Sequence, residues 1–132
     1  MLHSTWSIGW RSGVVLAFGA IVFAQLGLRP EFAWIPEVPL IAAGLLIPTV
    51  VFAFAGVRAA HLAGRSRQGA IAAAVAGAIG GLTGGLSFVL FGKPLLNIVV
   101  GPLVGAAGGA LVAAAAVAAT RLLVERDSNS RG

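Results

Sequence analysis

The chain has 132 residues, of which 58% are hydrophobic and only 10% are charged, and its mean hydropathy is +0.98. A soluble domain of this length needs about a quarter of its residues charged to hydrate its surface, so this composition excludes a soluble globular protein. The chain has no cysteine, which excludes disulfides, thiolate metal sites and thiol catalysis. The sequence therefore predicts an integral membrane protein.

Four apolar stretches are each long enough to cross a hydrocarbon layer of about 30 Å as a helix, which takes about 20 residues. We predict a single all-α transmembrane domain over residues 1–132, with four membrane-spanning helices. The predicted spans cover about residues 12–28, 40–57, 69–91 and 95–120, and residues 121–132 form a polar tail that is disordered at its end.

The first predicted span follows two tryptophans and Arg11, which suit the headgroup layer of a membrane. An alternative interpretation is a signal peptide, in which Arg11 and the apolar run from Val14 precede a small-residue cleavage site at Val22-Phe23-Ala24. The connection that follows, RPEFAWIPEVP over residues 29–39, contains three prolines and two glutamates, which predict that no helix continues through it.

Two prolines interrupt later spans. Pro48 removes a backbone hydrogen bond inside the second span and predicts a kink there. Pro102 predicts that the fourth helix begins irregularly or only near that residue. When the sequence is aligned with itself at a shift of 63 positions, Pro39 pairs with Pro102 and Arg58 pairs with Arg121. This partial match leaves open that the chain is a duplicated two-helix hairpin.

The basic residues are distributed unequally between the two sides of the predicted bundle. Only Arg29 and Lys93 lie in the connections that follow the first and third spans. The other seven, which are all arginines, lie on the opposite side with both termini. By the positive-inside rule we predict a plasma or inner membrane protein with both termini in the cytoplasm. The net charge of +5 is then a topology signal, and we predict no nucleic-acid partner.

Glycine recurs at intervals of four in the last two spans, and residues four apart share a helix face. We predict that these small faces pack the two spans into a close antiparallel hairpin, because the connection after Gly92 is short. The predicted packing residues are Gly69, Gly77, Gly81 and Gly85 in the third span and Gly101, Gly105 and Gly109 in the fourth. Glycines 80, 84 and 108 extend the small surface, which favours a second close contact with another copy or another protein.

The sequence offers no recognisable catalytic or metal-binding arrangement. No ionisable residue lies within a predicted span, and the two histidines, His3 and His61, lie outside the spans. No serine or threonine has a histidine at a recognisable spacing, and no glycine run is followed by Lys-Ser or Lys-Thr. We therefore predict that the protein is not an enzyme and has no cofactor and no metal site.

A few polar side chains remain inside the spans. Thr83 and Ser87 lie one turn apart on one helix face, and Asn97 follows at the start of the next span. Hydroxyls in such helices usually donate to their own backbone. The alternative interpretation makes these three residues a polar track for a small solute or an anion.

The residues Gly80-Gly81-Leu82-Thr83, followed by Ser87-Phe88 and Phe91, resemble the third helix of the small four-helix fluoride channels. That resemblance covers about a dozen residues and implies an antiparallel dimer with a phenylalanine-lined pore. The family's glycine- and arginine-containing signature in the first helix and its asparagine in the second are absent from this chain. The one-sided arginine distribution also argues against a dual topology, so the resemblance assigns no family.

Two functional hypotheses follow. In the first, the protein is a non-enzymatic packing or accessory subunit of a larger membrane complex, or of a homo-oligomer. In the second, it is a small oligomeric channel or transporter for a small solute or anion. Both hypotheses share the lipid bilayer as a partner.

Overall fold

The computed structural model describes the backbone of residues 2–132 and the side chains from residue 3 onward. The chain forms four long α-helices, and a short 3₁₀ turn lies at Pro30–Phe32. The helices are α1 (Leu2–Leu28), α2 (Glu37–Ala63), α3 (Ser66–Leu90) and α4 (Asn97–Ser130). All four are long and apolar enough to span a membrane, which confirms the predicted all-helical architecture with four candidate transmembrane helices.

The helices extend beyond the predicted spans. α2 begins at Glu37, inside the proline-rich connection, and Pro39 lies in its first turn. A proline is tolerated there because the first backbone N–H groups of a helix have no intrahelical partner. α4 continues to Ser130, where we predicted a tail with a disordered end. Good helix formers at 121–126 and an ion pair of 3.2 Å between Arg131 and Asp127 favour that extension.

α4 begins irregularly, as Pro102 predicted, although its start lies five residues before the proline. The backbone N–H groups of Asn97, Ile98 and Val99 bond to carbonyls three residues earlier, which is the 3₁₀ pattern. At the other end of the bundle, α2 terminates at Gly64, which has a φ of +66°. That left-handed conformation suits glycine and turns the chain so that the Arg65 N–H donates back to the Ala60 carbonyl of α2.

The helices run alternately up and down. α2 and α3 each contact all three other helices, whereas the described parts of α1 and α4 do not touch each other. α1 and α3 are parallel, because Gly9 lies against Ala72 and Leu16 lies against Gly80. The ends of the bundle are therefore distinct: the connections carrying Arg29 and Lys93 are at one end, and both termini are at the other.

Large side chains lie outside the bundle and small ones lie inside it. The buried residues are mostly alanine and glycine, and they include Ala55, Ala59, Ala72, Ala73, Ala76 and Ala113. Phe18 is 71% exposed and Leu45 is 68% exposed. This distribution reverses that of a soluble protein and suits a surface that faces lipid, where the hydrophobic effect does not draw large side chains inward.

Candidate functional site

The closest contact in the bundle lies between α3 and α4, and we call it the glycine seam. It consists of Gly77, Gly81 and Gly85 of α3 and Gly101 and Gly105 of α4. A methyl group placed on Gly77 would overlap the carbonyl oxygen of Gly105, and one on Gly81 would overlap that of Gly101. The overlaps are reciprocal, since methyl groups on Gly101 and Gly105 would meet the α3 carbonyls of the same partners. Backbone therefore meets backbone along this seam.

The ends of the seam differ from its middle. Gly85 lies against the backbone of Asn97, and Gly109 lies against the carbonyl of Ala73. Gly69, which we predicted as part of the same stripe, instead faces α2, where a methyl group would overlap the Gly56 carbonyl. Gly56 in turn contacts Ala113 of α4. Gly56, Gly69 and Ala113 thus form a junction of three helices.

The glycines outside this stripe also have identifiable neighbours. A methyl group on Gly80 would lie 2.8 Å from the Cβ of Leu16, and one on Gly84 would lie 3.7 Å from the Cβ of Ala20. Both glycines therefore face α1 of the same chain, so the second close contact that we predicted for them is intramolecular. Gly108 differs, because nothing lies within 4 Å of a methyl group placed there.

The polar side chains of α3 donate to their own helix. The Thr83 hydroxyl donates to the Ile79 carbonyl at 2.9 Å, and the Ser87 hydroxyl donates to the Thr83 carbonyl at 2.8 Å. The Asn97 side-chain amide donates to the Pro94 carbonyl at 2.8 Å. With their protons used in this way, the two hydroxyls present oxygen lone pairs, which accept hydrogen bonds from a neighbour but do not donate to an anion.

The two interior prolines are accommodated differently. Pro48 lies inside α2, and the adjacent Thr49 hydroxyl donates to the Leu45 carbonyl at 2.7 Å. Back-bonding of this kind occupies a carbonyl next to the one that Pro48 leaves without its N–H partner. Pro102 lies near the start of α4, within one turn of the 3₁₀ bonds described above.

Two grooves open at the end of the bundle that carries the termini. One lies between α1 and α2, has a volume of about 380 Å³ and is lined by Arg11 and Arg58. The other lies between α2 and α4, has a volume of about 370 Å³ and is lined by Arg121 and Glu125 together with His61. From the sequence, Arg11, Arg58 and Arg121 were topology signals, and His61 was noted only as lying outside the spans.

Part of the small-residue packing lies outside the predicted set of packing glycines. Gly9 and Gly13 of α1 lie against α3, where a methyl group on Gly9 would be 2.9 Å from the Ala72 carbonyl oxygen. The signal was present, because these two glycines are four residues apart like those of the seam. Gly56 had no such partner in sequence, and only the tertiary arrangement shows its contact.

Comparisons with known proteins give no relative for this chain. No family model matches it, and neither a curated protein nor a solved structure is similar to it.

Proposed function

We propose that this chain is a small, non-enzymatic multi-pass membrane protein that acts through helix packing. It serves as an accessory subunit of a larger membrane complex or assembles with copies of itself. The observation that carries this proposal is the outer face of α4. Gly108 has open space beside it, and Ala107, Ala114, Ala115 and Ala118 are exposed around it. A neighbouring helix in lipid approaches closely at Gly108, which leaves a gap between the exposed side chains of Val104 and Leu111.

The same proposal places the protein in the plasma or inner membrane with both termini in the cytoplasm. Seven of the nine basic residues support this orientation, since they lie toward the end of the bundle that carries both termini and the α2–α3 turn. Arg65 and Arg67 flank the start of α3, and Arg121 and Arg126 follow the apolar part of α4. The positive-inside rule relates that end of the bundle to the cytoplasm.

The glycine seam supports a role that does not depend on a pathway inside one copy. Because the backbones of α3 and α4 meet directly, nothing passes between these two helices. Catalysis is not part of the proposal, since no ionisable side chain lies in the predicted spans.

The experiment is native mass spectrometry of the tagged chain, produced at its natural level and extracted in mild detergent. We expect either a defined homo-oligomer or partners in a fixed ratio. Gly108→Leu should reduce that assembly, because leucine fills the open space on the outer face of α4. Gly19→Leu is the matched control, since Gly19 also has nothing within 4 Å but belongs to α1. A wild-type chain that is monomeric without partners, or an assembly unaffected by Gly108→Leu, would contradict the proposal.

A second candidate function is an oligomeric channel or transporter for a small solute or anion, with its pathway between copies. One observation favours it: Thr83 and Ser87 lie one turn apart on α3, so their two hydroxyl oxygens lie on one side of that helix and have lone pairs that accept hydrogen bonds from a solute. Asn97 would extend the polar track on the next helix.

This alternative predicts flux of glycerol, which donates to the oxygens of the track, through vesicles that contain the protein. Flux of chloride requires the Thr83 and Ser87 hydroxyls to rotate away from their helix carbonyls. Thr83→Val should abolish the glycerol flux and Ser87→Ala should lower it, because each removes a hydroxyl oxygen from the track. Thr49→Val is the control, since Thr49 makes the same kind of local bond on α2. Equal flux in all three variants would remove Thr83 and Ser87 from any pathway.

A further inference from the structure

The groove between α1 and α2 combines a basic mouth with an apolar wall, and we call it the arginine groove. Arg11 of α1 and Arg58 of α2 line it, as do Val15, Val50, Val51 and Phe54. The Arg58 guanidinium lies 5.8 Å from the centre of the Phe54 ring, which holds this cation beside the apolar wall. The groove is open to the outside of the bundle along the lipid-facing side of both helices.

The cations of the arginine groove have no carboxylate to neutralise them. The ion pairs among the described residues join Arg29 to Glu31 and Arg131 to Asp127, both away from the groove. Glu37 begins α2 at the opposite end of the bundle. Glu125 belongs to α4, which does not contact α1. The described lining of this groove therefore carries two positive charges and no negative charge.

Helix lengths place both arginines at the same level of a bilayer. At 1.5 Å per residue, Arg11 lies about 26 Å from the end of α1, and Arg58 lies about 32 Å from the start of α2. Both distances are close to the hydrocarbon thickness of about 30 Å. The exposed indoles of Trp6 and Trp10 on the same end of α1 mark the headgroup layer.

We propose that the arginine groove binds an anionic phospholipid. Its phosphate lies between Arg11 and Arg58, where each guanidinium donates charge-assisted hydrogen bonds to it. One acyl chain lies along Val15, Val50 and Val51, where it extends from the headgroup layer toward the middle of the bilayer. A zwitterionic lipid fits the apolar wall equally well, but its own cation opposes the two arginines.

The groove between α2 and α4 is the natural comparison. It has nearly the same volume and also lies at the terminal end of the bundle. Its lining includes Glu125 beside Arg121, so its charge is balanced. The inferred lipid site thus depends on the composition of one groove and not on a general excess of arginine at that end.

The test uses the full chain reconstituted in phosphatidylcholine vesicles with spin-labelled phosphatidylglycerol or spin-labelled phosphatidylcholine. Electron paramagnetic resonance then measures the fraction of each lipid that the protein immobilises. We expect the wild type to prefer phosphatidylglycerol. Arg11→Gln and Arg58→Gln should each lower that preference about fivefold, the contribution of one cation near an anionic lipid. Arg121→Gln should leave the preference unchanged.

A second variant separates the groove from surface charge. Val50→Trp keeps both arginines but fills the apolar wall, so it should also lower the preference. Circular dichroism checks that every variant keeps its helices. No preference in the wild type, an equal loss in Arg121→Gln, or an unchanged preference in Val50→Trp would overturn the proposal. So would displacement of the lipid by inorganic phosphate, because the site would then take a free anion.

Discussion

At the scale of single residues, the effect of each glycine on stability depends on the group that it contacts on the neighbouring helix. An interior glycine costs a soluble helix about 1 kcal/mol relative to alanine. In the glycine seam that cost is offset by direct contact between backbones, where Cα–H groups approach carbonyl oxygens and van der Waals packing is close. Gly77 and Gly105 show this most clearly, since each would overlap the carbonyl of the other if it carried a methyl group.

The seam predicts that Gly77→Ala destabilises the bundle by about 1–3 kcal/mol, the usual effect of overpacking a closed contact. The measurement is the free energy of unfolding in mixed micelles or bicelles. Gly108→Ala is the matched control, because the added methyl group meets open space and alanine favours the helix. We expect Gly108→Ala to be neutral or slightly stabilising. Equal destabilisation by both variants would show that the seam is not a close contact.

The sequence could identify the small positions but not the helix that each one faces. A spacing of four residues places Gly69 and Gly77 on nearly the same side of α3. Four residues of an α-helix turn through somewhat more than a full circle, so a long stripe drifts around the axis. Gly69 consequently reaches α2. Gly80 and Gly84 lie toward α1 for another reason, since each precedes a seam glycine by one residue and is rotated from it by about 100°. Those assignments depend on where neighbouring helices are placed, which no local pattern contains.

At the scale of elements, hydropathy predicted the number and order of the helices, and two long helical extensions lie outside the apolar windows. The apolar windows could not include Leu2–Arg11 or the segment after Thr120, because both are rich in polar and interfacial residues. These segments are nevertheless helical, since helix formation needs only backbone bonding and compatible side chains. Prolines near the start of α2 were also weaker stop signals than expected, because the first turn of a helix tolerates them.

The sequence allowed two interpretations of the polar residues of α3, local bonding to the helix backbone or a polar track for a solute. Their spacing was compatible with local back-bonding, and Thr83 and Ser87 both donate to carbonyls four residues earlier. This geometry satisfies the hydroxyl protons inside one helix. Any role in a pathway would therefore rest on the lone pairs of the oxygens or on rotation of the hydroxyls.

At the scale of the whole molecule, the bundle has one strongly basic end and one nearly neutral end. Arg29 and Lys93 are at the latter, where Arg29 lies 3.9 Å from the Glu31 carboxylate. Up-and-down packing brings the remaining arginines together at the other end. The sequence indicated this asymmetry, because it depends only on which connections carry the charges.

The orientation of the bundle can be measured directly, since the natural chain contains no cysteine. Ala33→Cys lies in the turn between α1 and α2, and Ser128→Cys lies near the end of α4, and both positions are exposed. We expect a membrane-impermeant maleimide to label Ala33→Cys in intact cells and Ser128→Cys only after permeabilisation. Removal of the arginines at the end that carries the termini should weaken that bias, because the positive-inside rule relates such charge to the cytoplasmic side. The reverse labelling pattern would place the termini outside.

The glycines of the seam do not by themselves determine which residue of α3 faces which residue of α4. Sliding α4 past α3 by four residues, about 6 Å, would set Gly77 opposite Gly109 and Gly81 opposite Gly105. That alignment also pairs glycine with glycine, so the glycine pattern is compatible with both alignments. The connection of residues 91–96 resolves it, because the Gly92 and Lys93 N–H groups bond back to Val89 and Phe88 at the end of α3. The choice of alignment is thus made by a tight turn outside the stripe, and lengthening that turn would free the two helices to exchange one alignment for the other.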